Sequence, residues 1–295
     1  MIRFSRYIRL YIFISAIILI PGIYSLIYWG FKPSIDFSGG TLGEVQLAAD
    51  LPRDQIDRFA SDVGLSAGSI TRSSGNSYFI RLPAVDEIKI ASFAANIQNT
   101  ASVSADVIRL ETVGPVLGRE LLVKAAIAGG LAIIGILLYI AWAFRNIIFG
   151  LSAVIALVHD LLVVLGSFSF LGRFFGVEVD TLFVTAFLTT MSFSVHDTIV
   201  VFDRIREMSK KGEPVSFQVL CDRALTQTMV RSLVNSFTII FMLVALILLG
   251  GDTIRWFIVA LLIGTVSGTY SSPFVATPAL MILHNLVENY RRSTK

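Results

Sequence analysis

Six segments of this chain are long and apolar enough to cross a lipid bilayer, and no other feature restricts its fold so severely. Lipid offers the backbone no hydrogen-bond partner, so a crossing segment must satisfy itself as a helix over about 20 residues. The segments run from Ile8 to Trp29, Leu121 to Phe144, Ile147 to Leu171, Thr181 to Phe202, Val230 to Leu249 and Ile254 to Leu283. Composition agrees, since 55% of the residues are hydrophobic and only 15% charged, against about one quarter charged in soluble domains. Arg3, Arg6 and Arg9 precede the first segment as in a secretory signal, but the apolar run is too long and Tyr24 to Gly30 offers no small-x-small cleavage site. It is expected to stay as the first helix.

The short loops orient the bundle. Arg3, Arg6 and Arg9, then Arg145, then Arg204, Arg206, Lys210, Lys211 and Arg223, and finally Arg291, Arg292 and Lys295 fall on one side, which the positive-inside rule makes cytoplasmic. Both termini are then inside, and residues 31–120 form the one large segment outside. Their pattern reads strand, helix, strand, strand, helix, strand. Val45 and Leu47 alternate with Glu44 and Gln46, whereas Ile56, Phe59, Ala60 and Val63 recur at helical spacing. Gly75-Asn76 marks a hairpin between two short strands, Ile90, Phe93, Ala94 and Ile97 share a second helical face, and Val103, Ala105 and Val107 alternate in a last strand. That order is the ferredoxin-like plan. The expected fold is therefore an α-helical membrane protein with six transmembrane helices and one external α+β ferredoxin-like domain. The expected divisions are 1–30, 31–120 and 121–295, the last a five-helix bundle with a cytoplasmic loop at 203–229.

The excess of 24 basic over 21 acidic residues is too small to indicate a nucleic-acid partner. The single cysteine, Cys221, excludes an internal disulfide and reads as a small apolar filler. Walker, dinucleotide-binding and HExxH patterns are absent, so no cofactor, metal or covalent chemistry is expected. Gly64 to Gly68 spells G-x-S-x-G around Ser66, but in a turn after a helix, where that motif does not work.

Charges at membrane depth carry the information, because each costs at least a few kcal/mol there. In the fourth helix Thr190, Ser194, Asp197 and Arg204 share a face, with His196 beside them. Asp197 lies six residues before Asp203 at the cytoplasmic edge, about 9 Å deep. The fifth helix starts on that side with Arg231, Asn235 and Thr238 on one face, which places Arg231 to meet Asp197. Such a pair either exchanges a proton as the helices shift or is a static tie. His159 and Asp160 in the third helix lie about 20 Å from its cytoplasmic start. They either extend a proton path or hold neighbouring helices, with side chains expected about 100° apart. Gly264 and Gly268, extended by Ser267, Ser271 and Ser272, and Gly129, Gly130 and Gly135 read as close helix-packing faces. After Pro214, the apolar face of Phe217, Leu220, Cys221 and Ala224 reads as a helix lying on the inner membrane surface.

Three motifs carry a resemblance over essentially the whole chain: Ile35 to Thr41 (IDFSGGT), Val113 to Gly118 (VGPVLG) and Val195 to Glu207 (VHDTIVVFDRIRE). In these the sequence resembles the SecF family of the SecDF accessory complex, itself similar to the resistance-nodulation-division exporters. The resemblance implies use of the proton-motive force in late steps of protein export across the bacterial inner membrane. The partners it implies are SecD, the SecYEG channel, YajC, an exported unfolded polypeptide and the lipid bilayer. It also implies that Asp197 and Arg231 serve proton passage, with His196, Asp160 and His159 as further candidates and Thr190, Ser194, Asn235 and Thr238 as helix-face support. His196 stands where Asn or a small polar residue is more usual. The alternatives are half of a small-molecule proton antiporter and a non-transporting assembly subunit.

Overall fold

A computed structural model of the protein describes residues 3–65, 70–72, 76–82, 87–101, 103–211 and 214–293. In chain order the elements are α1 (Ile8–Tyr28), α2 (Ile35–Ser38), β1 (Gly40–Leu47), α3 (Arg53–Asp62), β2 (Ile70–Arg72), β3 (Ser77–Leu82), α4 (Glu87–Ala101) and β4 (Ala105–Val113). They continue with α5 (Pro115–Phe144), α6 (Ile147–Phe175), α7 (Thr181–Lys210), α8 (Phe217–Leu249), α9 (Asp252–Ser271), a π-helical turn (Ser272–Ala276) and α10 (Thr277–Ser293). Among the described residues six helices are long and apolar enough to cross a membrane, α9 to α10 counting as one. The chain forms two compact units, Pro33–Ala126 and the remainder, Met1–Lys32 with Ile127–Lys295.

The first unit has the ferredoxin-like order. Its four strands run β2-β3-β1-β4, all pairings antiparallel, and the core holds Val45, Leu47, Ile56, Ile80, Ile90 and Phe93. Helix α4 lies so close to β1 that a Cβ on Gly43 would stand 2.6 Å from Ile90 Cγ2. Ile90→Ala is expected to cost about 2–5 kcal/mol of domain stability through the cavity it leaves, seen as faster hydrogen exchange of the sheet amides in the intact protein. One expectation fails in β4. Val107 is 39% exposed on β4, an edge strand whose register shifts just after it, opposite Glu44 and Val45. Ser66 and the Ser73 to Gly75 part of the hairpin lie outside the described residues.

Two of the sequence motifs meet in this unit. Ser34 caps α2 by accepting from Asp36 N at 3.2 Å, and Gly39 ends it at φ +75°, a left-handed conformation that suits glycine. A Cβ at Gly39 would stand 2.7 Å from Pro115 Cα, and one at Gly118 2.8 Å from the Phe37 carbonyl oxygen. The glycines of both motifs therefore permit α2 to lie against the start of α5.

In the membrane unit the helix ends are set by side chains. Asn146 accepts from Ile148 N at 3.0 Å, Asp180 from Phe183 N at 2.7 Å and Ser216 from Val219 N at 3.4 Å, while Gly176 closes α6 in the left-handed region. Three expectations need correction. The stretch after Pro214 is no separate surface helix and 203–229 is mostly not a loop: α7 runs on to Lys210 and α8 begins at Phe217. Pairing of Glu207 with Arg204 and Lys211 sustains the end of α7, and Leu220, Cys221 and Ala224 are buried in the bundle core with Phe202 and Ile205. Among the described residues nothing lies within 4 Å of the Cβ positions of Gly129, Gly130 and Gly135, so that stripe of α5 makes no close helix contact there. Gly264 and Gly268 do pack, since their Cβ positions would fall 2.2 Å from Thr190 Cγ2 and 3.0 Å from Ser194 Cα, bringing α9 against the polar face of α7.

Candidate functional site

The polar interior of the bundle has two centres, one on α6 and one on α7. Asp160, 3% exposed, is held by three helices. Its Oδ2 accepts from Ser194 Oγ of α7 and Ser271 Oγ of α9, each at 2.6 Å. Its Oδ1 accepts from Ser267 Oγ of α9 at 2.6 Å and lies 3.0 Å from His159 Nδ1. A carboxyl group so deep in a bundle needs its lone pairs occupied, and here three serine hydroxyls donate to it. His159 and Asp160 therefore touch instead of diverging. His159 Nε2 is buried without a hydrogen-bond partner among the described residues, and the ring lies 6.0 Å from that of Tyr270.

Asp197, 7% exposed, is held more loosely. Ser236 Oγ of α8 donates to its Oδ2 at 3.4 Å, and Ser232, one turn earlier, faces the same carboxyl group. Beside it is a cavity of about 20 Å³ lined by Phe193, His196, Asn235, Ser236, Ile239, Thr265 and Thr269, with the volume of about one water molecule. One turn further along the same seam, a cleft of about 530 Å³ opens between Val200, Asp203, Arg204 and Glu207 of α7 and Gln227, Thr228 and Arg231 of α8. In it Arg204 donates to Gln227 Oε1 at 2.7 Å and pairs with Glu207.

The expected pairing of Asp197 with Arg231 is absent. Arg231 lines the cleft, exposed and without an ion pair among the described residues, and the α8 side chains that face Asp197 are Ser232 and Ser236. The reason is rotational. Arg231 and Asn235 each lie one residue, or about 100°, round the helix from those serines, and Thr238 continues the Arg231-Asn235 stripe. Asn235 borders the small cavity, while Thr238 is exposed and donates only to the Val234 carbonyl. Thr190 and Ser194 are buried against α9, as the polar face of α7 implied, and Arg204 leaves that interior for the cleft. The sequence reading missed Ser232 and Ser236, and it took Ser267 and Ser271 for packing residues only. Their signal was their spacing of four on helices that must supply donors to a buried carboxylate.

Residues 92–286 match the family described as protein export membrane protein SecD/SecF, C-terminal. The chain is 40% identical to the protein translocase subunit SecF of Thermobaculum terrenum, over 97% of this chain and 95% of that one. The chain belongs to the SecF family. It is also 37% identical to the SecF subunit of Anaerolinea thermophila, over 92% of this chain and 91% of that one. Among solved structures it is similar to SecDF of Thermus thermophilus, a translocon-associated membrane protein, with a TM-score of 0.85 and 29% identity over 96% of this chain. It spans 39% of that longer chain. A second SecDF structure, in a super-membrane-facing form, matches with a TM-score of 0.73 and 28% identity over the whole of this chain and 40% of the other. The protein is thus a multi-pass membrane protein of the translocase-subunit kind.

Proposed function

We propose that this chain works with SecD as a proton-coupled subunit of the bacterial protein-export machinery, supporting late steps of export across the inner membrane without covalent catalysis. Asp197 carries this reading. It is a carboxyl group inside the bundle, loosely held from α8, next to a water-sized cavity and one turn from an open charged cleft. Such a group can exchange a proton with water when α7 and α8 shift slightly. Arg231 contributes a permanent cation to the cleft, with His196 a second titratable neighbour.

The polar face of α8 supports the partner. Arg231, Asn235 and Thr238 are exposed on a membrane-spanning helix, where lipid is an unfavourable neighbour for a guanidinium. SecD is the natural cover, because the similar SecDF structure joins a segment like this chain to a longer remainder. Both termini lie in the cytoplasm in this reading, and residues 31–120 form a periplasmic domain that touches SecD or the emerging unfolded polypeptide. SecYEG and YajC complete the assembly. Reconstitution with SecD and the channel tests it: secretion of a reporter must lose its dependence on the proton gradient when Asp197 is changed to Asn.

A further inference from the structure

Asp197 projects from a turn of α7 that is fixed from behind and met in front by two serines of α8. Three residues before it, Ser194 donates to Asp160, and one residue after it, Thr198 Oγ1 lies 2.9 Å from Ser272 Oγ in the π-helical turn. Thr198 also donates to the Ser194 carbonyl at 3.1 Å, joining the two anchors. The glycine approach of α9 leaves no room behind this turn. In front, Ser232 and Ser236 of α8 meet its carboxyl group, Ser236 at 3.4 Å, and a cavity adjoins them.

We infer that Asp160 is a positioning residue for Asp197: its carboxylate binds α6, α7 and α9 into one unit and sets the turn of α7 from which Asp197 projects, leaving the contact with α8 as the adjustable one. Three serine hydroxyls donate to the oxygens of Asp160 at 2.6 Å, whereas Asp197 meets Ser232 and Ser236 of α8 beside a void, Ser236 at 3.4 Å. The two carboxyl groups therefore divide the work, one holding geometry and the other exchanging. Around Asp197 the titratable and charged groups are His196 on α7, Asp203 of α7 and Arg231 of α8 in the adjoining cleft, and Asp160 of α6 acting through Ser194. From α9, Thr265 and Thr269 line the cavity beside it.

This inference rests on the reading of Asp197 as the working group, and the test separates the two. The intact protein in liposomes is titrated by infrared difference spectroscopy, the Asp197 carboxyl band being the one that Asp197→Asn removes. Asp160→Asn and Ser194→Ala are expected to move the midpoint of that band by about one pH unit, a tenfold change in the protonated fraction. A residue that merely stabilised the bundle would lower the yield of folded protein and leave the midpoint in place. Should Asp160→Asn fail to fold, Ser194→Ala and Ser271→Ala decide, since each removes one of several donors. Coincident curves in the wild type and these folded variants, flat curves included, overturn the inference. A shifted midpoint in protein whose secretion is indifferent to Asp197→Asn would remove the transport reading and leave the positioning role standing.

Discussion

Asp197→Asn is expected to reduce gradient-dependent secretion to the level seen with a protonophore, while the amount of assembled complex stays near that of the wild type. The change is nearly isosteric, so the side chain still fits beside Ser236 and the small cavity. What it removes is the capacity to gain and lose a proton. One charge crossing 100 mV is worth about 2.3 kcal/mol, enough to redistribute two conformers of a bundle that differ by a few kcal/mol. Arg231→Met is expected to give the same loss for a different reason, since it takes the permanent cation from the cleft without disturbing the Asp160 cluster. Export of a reporter into inverted membrane vesicles, with and without protonophore, measures both. Gradient-dependent export at the wild-type rate in either variant would end the proton-coupled reading.

The second large effect is structural. Gly166→Leu is expected to prise α1 from α6 and leave little folded protein. A Cβ at Gly166 would stand 2.6 Å from Gly22 Cα and 2.9 Å from Gly22 C, so the obstacle is backbone and no rotamer change relieves it. The same approach lets Ser25 Oγ and Ser169 Oγ meet at 2.7 Å and Ser169 donate to the Gly30 carbonyl at 2.7 Å, and separation would break both. Overpacking usually costs about 1–3 kcal/mol, and two rigid helices at a glycine contact belong at or above the upper end. Gly135→Leu is the control, because nothing lies within 4 Å of its Cβ position. Thermal unfolding in detergent should show a large drop for the first variant and almost none for the second.

These two sites show where sequence was informative and where it was not. The spans could be read directly, because hydropathy is what lipid selects, and the ferredoxin-like order could be read because Ile56, Phe59, Ile90 and Phe93 keep helical phase between alternating strands. Asp197 stood out by its depth alone. The partner it faces did not, because α8 carries two interleaved polar stripes, Arg231-Asn235 and Ser232-Ser236, and hydropathy cannot say which one turns inward. The Gly22 to Gly166 contact was hidden for a similar reason: Gly22 is the single glycine of α1, Gly166 is one of three in α6, and only packing brings the two opposite. Asp160 was seen as a charge, but its donors come from α7 and α9, 34 to 111 residues away along the chain.

The π-helical turn at Ser272–Ala276 adds one residue to the winding, visible in the Thr277 N–H donating to the Ser272 carbonyl five positions back, to which the Thr277 hydroxyl also donates. Everything after it is consequently rotated by about 100° from the azimuth that an unbroken α-helix would give. Leu280 and Met281 point into the core by virtue of that offset. The last crossing is thus two half-helices in different phase, and its lower half takes its bearing from the residue inserted beside the serine that grips Asp160.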